Sequence, residues 1–139
     1  MTAGAQLRTA QLERALDRLT EALDRPEDAI VRDACIQRFE FCFEMAWKAI
    51  RHYAVREGVE CSSPRECFRV GFRLGLLMDD PGWLEMIEDR NRTSHTYDEE
   101  AARQIYRALP RYAGLLRGLL DRLREGERRQ AGDSSAPET

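Results

Sequence analysis

Ala102, Ile105, Leu109, Tyr112, Leu116, Leu119 and Leu123 recur at strictly alternating intervals of three and four residues. That interval is the seam of an α-helix that buries one stripe along its whole length. So long a stripe needs other helices to cover it. The rest of the chain supplies them: Leu12, Ala15, Leu16, Leu19, Ala22 and Leu23 repeat with the same period and predict a first helix over about 6–24. A second helix is predicted over about 27–57, with Ile30, Cys35, Phe39, Cys42, Phe43, Ala46, Trp47 and Ile50 as its apolar surface. Pro26 either ends the first helix or opens the second, and Gly58 supplies a stop.

Ser63-Pro64-Arg65-Glu66 has the form of a capping box with proline at the first helical position, which starts a third helix running to about Leu74 with Gly75 as its cap. Asp80-Pro81 opens a fourth, through Trp83 and Ile87 toward Ser94. Thr96 and Glu99 form another possible capping box, and Pro110 is expected to kink or split the last helix near Leu109. No segment alternates with the period of two that strands require. Short connections favour antiparallel neighbours, so the expected fold is all-α, an up-and-down bundle of four to five helices over residues 1–125. Beyond Glu125 the apolar periodicity stops, and residues 126–139 are expected to be a disordered tail.

The chain has 139 residues, enough for one core and not two. Arginine and lysine together number 22 against 25 acidic residues, a formal charge of −3, so any contact with RNA must come from a local patch. Lys48 is the one lysine in the sequence. Cys35 and Cys42 lie two helical turns apart, about 10 Å between Cα atoms, too far for a bridge. Cys61 and Cys67 flank a turn and a helix start. With no C-x-x-C pair and only His52 and His95 as histidines, no metal site is expected, and the cysteines read as small buried thiols. Met1 to Gln6 have no apolar leader-like stretch, and no run approaches the ~18 apolar residues of a membrane span. The expected location is the cytoplasm.

The concentrated chemistry lies in Arg90-Asn91-Arg92-Thr93-Ser94-His95-Thr96-Tyr97. On an unbroken helix Arg90 and His95 would face roughly 140° apart. Thr93, Ser94, His95 and Thr96 are poor helix formers, so the helix is expected to end between the two, leaving Arg90 in its last turn and His95 and Tyr97 projecting from a corner. An imidazole there can move a proton near neutral pH. A guanidinium can grip phosphate oxygens and stabilise charge in a transition state. The plainer alternative is a helix end at which the same groups bond Glu88, Asp89 or Asp98. Glu40, Glu44 and Lys48 fall four apart on the second helix, either as a solvated ion pair between Glu44 and Lys48 or as neighbours that orient Arg90. Arg65, Arg69 and Arg73 form a stripe on the third helix, either a solvated face or a surface for RNA phosphates.

The segment R-N-R-T-S-H-T-Y matches the R-x4-H-x-Y signature of HepT-like proteins of the HEPN superfamily. Residues 38–48 (R-F-E-F-C-F-E-M-A-W-K) and 63–66 (S-P-R-E), with Trp83-Leu84 and Asp98-Glu99 in order, resemble the branch called nucleotidyltransferase substrate-binding proteins, over most of residues 10–125. This resemblance implies a helical homodimer without a cofactor, partnered by a minimal nucleotidyltransferase. In the HepT-like sense it implies a metal-independent endoribonuclease toxin, silenced when the partner adds AMP to a tyrosine. Carried across, Arg90 and His95 become the catalytic pair, Asn91 their polar neighbour and Tyr97 the AMP acceptor. In the older sense it implies a non-catalytic subunit that presents substrate to the nucleotidyltransferase.

Overall fold

A computed structural model describes the backbone of residues 2–135 and the side chains of residues 6–132. Five helices follow one another: α1 (Thr2–Leu23), α2 (Ala29–Arg56), α3 (Pro64–Arg73), α4 (Gly82–Arg92) and α5 (Glu99–Ser135), with a short 3-10 turn, Thr93–His95, between the last two. No strand occurs among the described residues, and the all-α bundle expected from the sequence is the observed fold. The long helices α1, α2 and α5 pack on one another, while α3 rests on α2 and α4 on α5.

The periodic apolar positions form the core. Leu12, Leu16 and Leu19 of α1, Phe39, Cys42 and Ile50 of α2, and Ile105, Leu109, Leu116, Leu119 and Leu123 of α5 are all fully buried. An aromatic chain then ties the short helices to the long ones. Tyr112 stacks on Phe39 at 5.5 Å between ring centroids, Phe43 meets Phe68 edge-on at 5.5 Å, and Phe68 meets Trp83 at 5.3 Å. Ile30, expected on the apolar surface of α2, instead lies exposed in its first turn. Among the described residues no helix is long and apolar enough to cross a membrane.

Local signals set most helix ends. Ser63 Oγ accepts the Glu66 amide at 3.2 Å and Pro64 takes the first helical position. Gly58 and Gly75 adopt φ of +77° and +78°, the left-handed conformation that ends α2 and α3 at little steric cost to glycine. Pro26 lies between helices, and Asp28 opens α2 by accepting the Val31 amide at 2.7 Å. Before α5 the capping side chain is Asp98, which accepts the Glu100 amide at 3.0 Å, in place of Thr96. Pro110 removes one backbone donor but does not split α5, which passes through it with the proline exposed.

Two expectations are corrected. Cys61 and Cys67 are joined in a disulfide, with Cα atoms 5.1 Å apart, because the first turn of α3 lies beside the residue two places before its cap, Ser63. Cys35 and Cys42 remain free and buried, and burial pushes the Cys42 thiol up to about 12. The expected tail is also helical: α5 runs on through Ser135, while 136–139 lie outside the described residues. Absence of apolar periodicity is a poor guide here, since Glu127–Ala131 are good helix formers and their anchors are polar and steric. Gly126 lies so close to the ring of Tyr53 that a methyl group would not fit between them. Thr9 of α1 donates to Glu127 at 3.5 Å.

Ending the chain at Glu125 should therefore lower stability by about 1–2 kcal/mol, by uncovering the buried Tyr53 and removing one of the partners of Thr9. A melting curve of the shortened chain should shift down by several degrees. An unchanged midpoint would mean that the last turns of α5 merely extend into solvent.

Candidate functional site

The corner begins with how α4 is held. Asp89 in its last turns accepts a short hydrogen bond from the Tyr112 hydroxyl of α5 and pairs with Arg92 at 3.2 Å. Burial, with the Asp89 carboxylate next, raises the Tyr112 phenol, so it stays a donor. Arg92 in turn donates to Gln104 of α5 at 2.7 Å. These contacts clamp the end of α4 against α5 on either side of Arg90 and leave the turn after it little freedom.

The helix ends where the residue types require. Arg92 closes α4, Thr93–His95 form the 3-10 turn, and the Asp98 amide donates to the His95 carbonyl at 3.0 Å before α5 begins. Thr93 is buried in this turn, donating to the Arg90 carbonyl at 2.8 Å and accepting Arg90 Nη1 at 3.0 Å. His95 and Tyr97 point outward. Their rings meet edge-on at 6.0 Å, and Tyr97 is 86% exposed. Asn91 is exposed beside Arg90, and its carbonyl accepts Ser94 Oγ at 3.5 Å.

Arg90 faces α2. Its Nη1 lies 3.4 Å from Glu40 Oε2 and its Nη2 3.8 Å from Glu44 Oε1. Its Nε is buried with no hydrogen-bond partner among the described residues. Glu44 is shared three ways, since it also accepts Trp47 Nε1 at 2.9 Å and lies 3.9 Å from Lys48 Nζ. The two alternatives for this stretch of α2 thus coexist: an i, i+4 pair with Lys48, and a brace for Arg90. The arginine is partly charge-compensated: Thr93 holds Nη1, while both carboxylate contacts are too long to make a bidentate fork.

Arg65, Arg69 and Arg73 stand elsewhere, on α3, and Arg65 and Arg69 border a shallow groove with Phe68, Phe72 and Trp83. Among the described residues no group of three or more His, Cys, Asp or Glu side chains is placed to hold a metal ion. Sequence reasoning named Thr93 only as a poor helix former and Asp89 only as a partner for Arg90 or His95; it missed that Thr93 bonds Arg90 and that Tyr112 fixes Asp89. The one available signal was the phenol itself, because a tyrosine in a buried seam needs a partner for its hydroxyl.

Comparisons with known proteins bear on this arrangement. Over 104 residues the chain is 29% identical to a Haemophilus influenzae protein named probable ribonuclease HepT, covering 71% of this chain and 70% of that protein. The crystal structure of a Thermus thermophilus protein superposes with a TM-score of 0.77 at 44% identity, over 81% of this chain and 98% of that one. A Haemophilus influenzae structure, described as revealing the fold of a substrate-binding domain of a nucleotidyltransferase, shares the fold at a TM-score of 0.65 and 24% identity, over 89% and 99% of the two chains. The family model described as nucleotidyltransferase substrate binding protein like matches residues 7–125. The chain belongs to the nucleotidyltransferase substrate-binding protein-like family.

Proposed function

We propose that the corner after α4 is the cleavage centre of a metal-independent endoribonuclease, the toxin half of a pair with a minimal nucleotidyltransferase. The observation that carries this reading is an exposed imidazole, His95, on the same clamped turn as a guanidinium braced by two carboxylates from another helix. An arginine that served only to end a helix would not need Glu40, Glu44 and Thr93 together. The relative named probable ribonuclease HepT supports the same class of chemistry.

In the proposed reaction His95 takes the proton of a ribose 2′-hydroxyl as its oxygen attacks the adjacent phosphorus. The new O–P bond closes a 2′,3′-cyclic phosphate, the bond to the 5′-oxygen breaks, and that oxygen takes a proton from water or from the imidazolium of a second subunit. Arg90 swings from its carboxylates to the non-bridging oxygens, where charge accumulates. Asn91 is a polar neighbour for the same phosphate, and Glu44 and Lys48 position Arg90. The active form is a homodimer working on RNA in the cytoplasm, without a cofactor.

The exposure of Tyr97 supports silencing at that residue. Its phenol oxygen attacks the α-phosphorus of ATP in the partner's active site, the tyrosyl O–P bond forms, pyrophosphate leaves and the phenol proton is lost. The resulting AMP group sits beside His95 and obstructs the phosphate site. Incubation with the partner enzyme and ATP, followed by peptide mass spectrometry, should find AMP on Tyr97. AMP on another residue alone, or no transfer, would remove this part of the proposal.

A second reading is a non-catalytic subunit that presents substrate to the nucleotidyltransferase, favoured by the description of the matching family. In that case purified protein would bind RNA or nucleotide at the corner and cut nothing.

A further inference from the structure

A cavity of about 610 Å³ opens between the second half of α2, the start of α1 and the turn that precedes α3. Lys48, Arg51, His52 and Arg56 line it from α2 and Arg8 from α1, against Glu60 and Glu66 on the far side. Four permanent cations therefore face two carboxylates, in a chain that is acidic overall. The corner does not use any of Arg8, Arg51 or Arg56.

Two of these cations have no ion-pair partner among the described residues. Arg51 lies over the indole of Trp47, 5.1 Å from the ring centroid, and no described carboxylate pairs with it. Arg8 likewise has no described ion-pair partner. His52 is held below its usual value, first by burial and then by Arg8 and Arg56, so both guanidinium charges reach the same point in the cavity. The α1–α2 side of the cavity is thus lined by cations without a carboxylate among them.

Its position relative to the corner is the second observation. Lys48 is the first residue of the groove and also the neighbour, through Glu44, of Arg90. From Lys48 the groove follows α2 for two turns to Arg56, about 12 Å. Lys48, Arg51 and Arg56 are strung along that line, with Arg8 added from α1, which suits a chain of phosphates better than a single nucleotide.

We propose that this groove holds the sugar–phosphate backbone of single-stranded RNA that flanks the phosphate at the corner. The proposal rests on the reading of the corner as an RNA site. It assigns binding, independent of sequence, to Arg8, Arg51 and Arg56, with Lys48 as the junction.

The test measures binding of a labelled RNA strand of about 12 nucleotides, 2′-O-methylated so that it cannot be cleaved and long enough to span groove and corner, by fluorescence anisotropy at several salt concentrations. Replacing Arg8, Arg51 and Arg56 together with Gln should weaken binding at least roughly tenfold at low salt, and the logarithmic salt slope should fall by about 2, since each single-strand phosphate contact contributes about 0.7. Replacing Arg18, Arg25 and Arg107 with Gln changes net charge equally and should leave affinity within about twofold, because these exposed residues lie outside the groove. If the first triple variant does not fold by circular dichroism, Arg8→Gln and Arg51→Gln are read singly, each expected to lower the slope by about 0.7. Equal losses in both triples, or no loss in the first, would overturn the groove, as would AMP competing as strongly as the strand. Loss of nucleotidyltransferase binding with RNA binding intact would reassign it to a protein contact and also overturn the proposal. Because the RNA is not cleavable, wild-type protein that binds through the groove yet cuts no ordinary RNA would refute the nuclease reading alone.

Discussion

His95→Ala should reduce RNA cleavage by about 100- to 10,000-fold, the usual contribution of a positioned acid or base, while leaving the melting temperature almost unchanged. The two halves of this expectation have separate physical grounds. The loss follows because no other described histidine stands at the corner, and His52 lies in the groove along α2. The preserved stability follows because the His95 ring is exposed, has one edge-on contact with Tyr97, and contributes its carbonyl rather than its side chain to the turn. A variant that lost activity together with its fold would show instead that the imidazole is structural.

Arg90→Ala should likewise cost a large factor, about 100- to 1,000-fold in kcat, as for loss of a group that stabilises charge in the transition state. Arg90→Lys should recover little of it. An ammonium can keep contact with Glu40 or Glu44 but cannot also present two parallel N–H groups to phosphate. The bracing carboxylates separate this account from a purely structural arginine. Glu44→Gln should change kcat more than KM, because it moves the guanidinium without removing a group that binds RNA. If Arg90→Lys retained full activity, the guanidinium fork would have no part in the reaction.

Much of this corner is legible in the sequence because its causes are local. Poor helix formers at Thr93–Thr96 end α4 between Arg90 and His95, as their types require. The same holds for Ser63-Pro64 at the start of α3 and for Gly58 and Gly75 after α2 and α3. What escapes depends on contacts between distant positions. Tyr112 reads as one more core residue of a heptad seam, yet its hydroxyl fixes Asp89, 23 residues earlier, next to Arg90. Gly126 reads as the start of a disordered tail, yet it is the gap into which Tyr53 packs. Cys61 and Cys67 straddle a turn whose tightness no spacing rule conveys. The groove along α2 escapes for a further reason. Arg8 comes from α1 and Arg51 and Arg56 from α2, so the cluster exists only once those helices are side by side.

The two readings of the corner, a nuclease and a substrate-presenting subunit, differ in whether a phosphodiester bond breaks. The direct measurement is incubation of purified, partner-free protein with single-stranded RNA in excess EDTA, followed by analysis of the product ends, with His95→Ala in parallel. The account predicts cleavage by the wild type, 2′,3′-cyclic phosphate termini, and a loss in the variant of about two orders of magnitude or more. Intact RNA with the wild type, or equal cleavage by the two proteins, would contradict it.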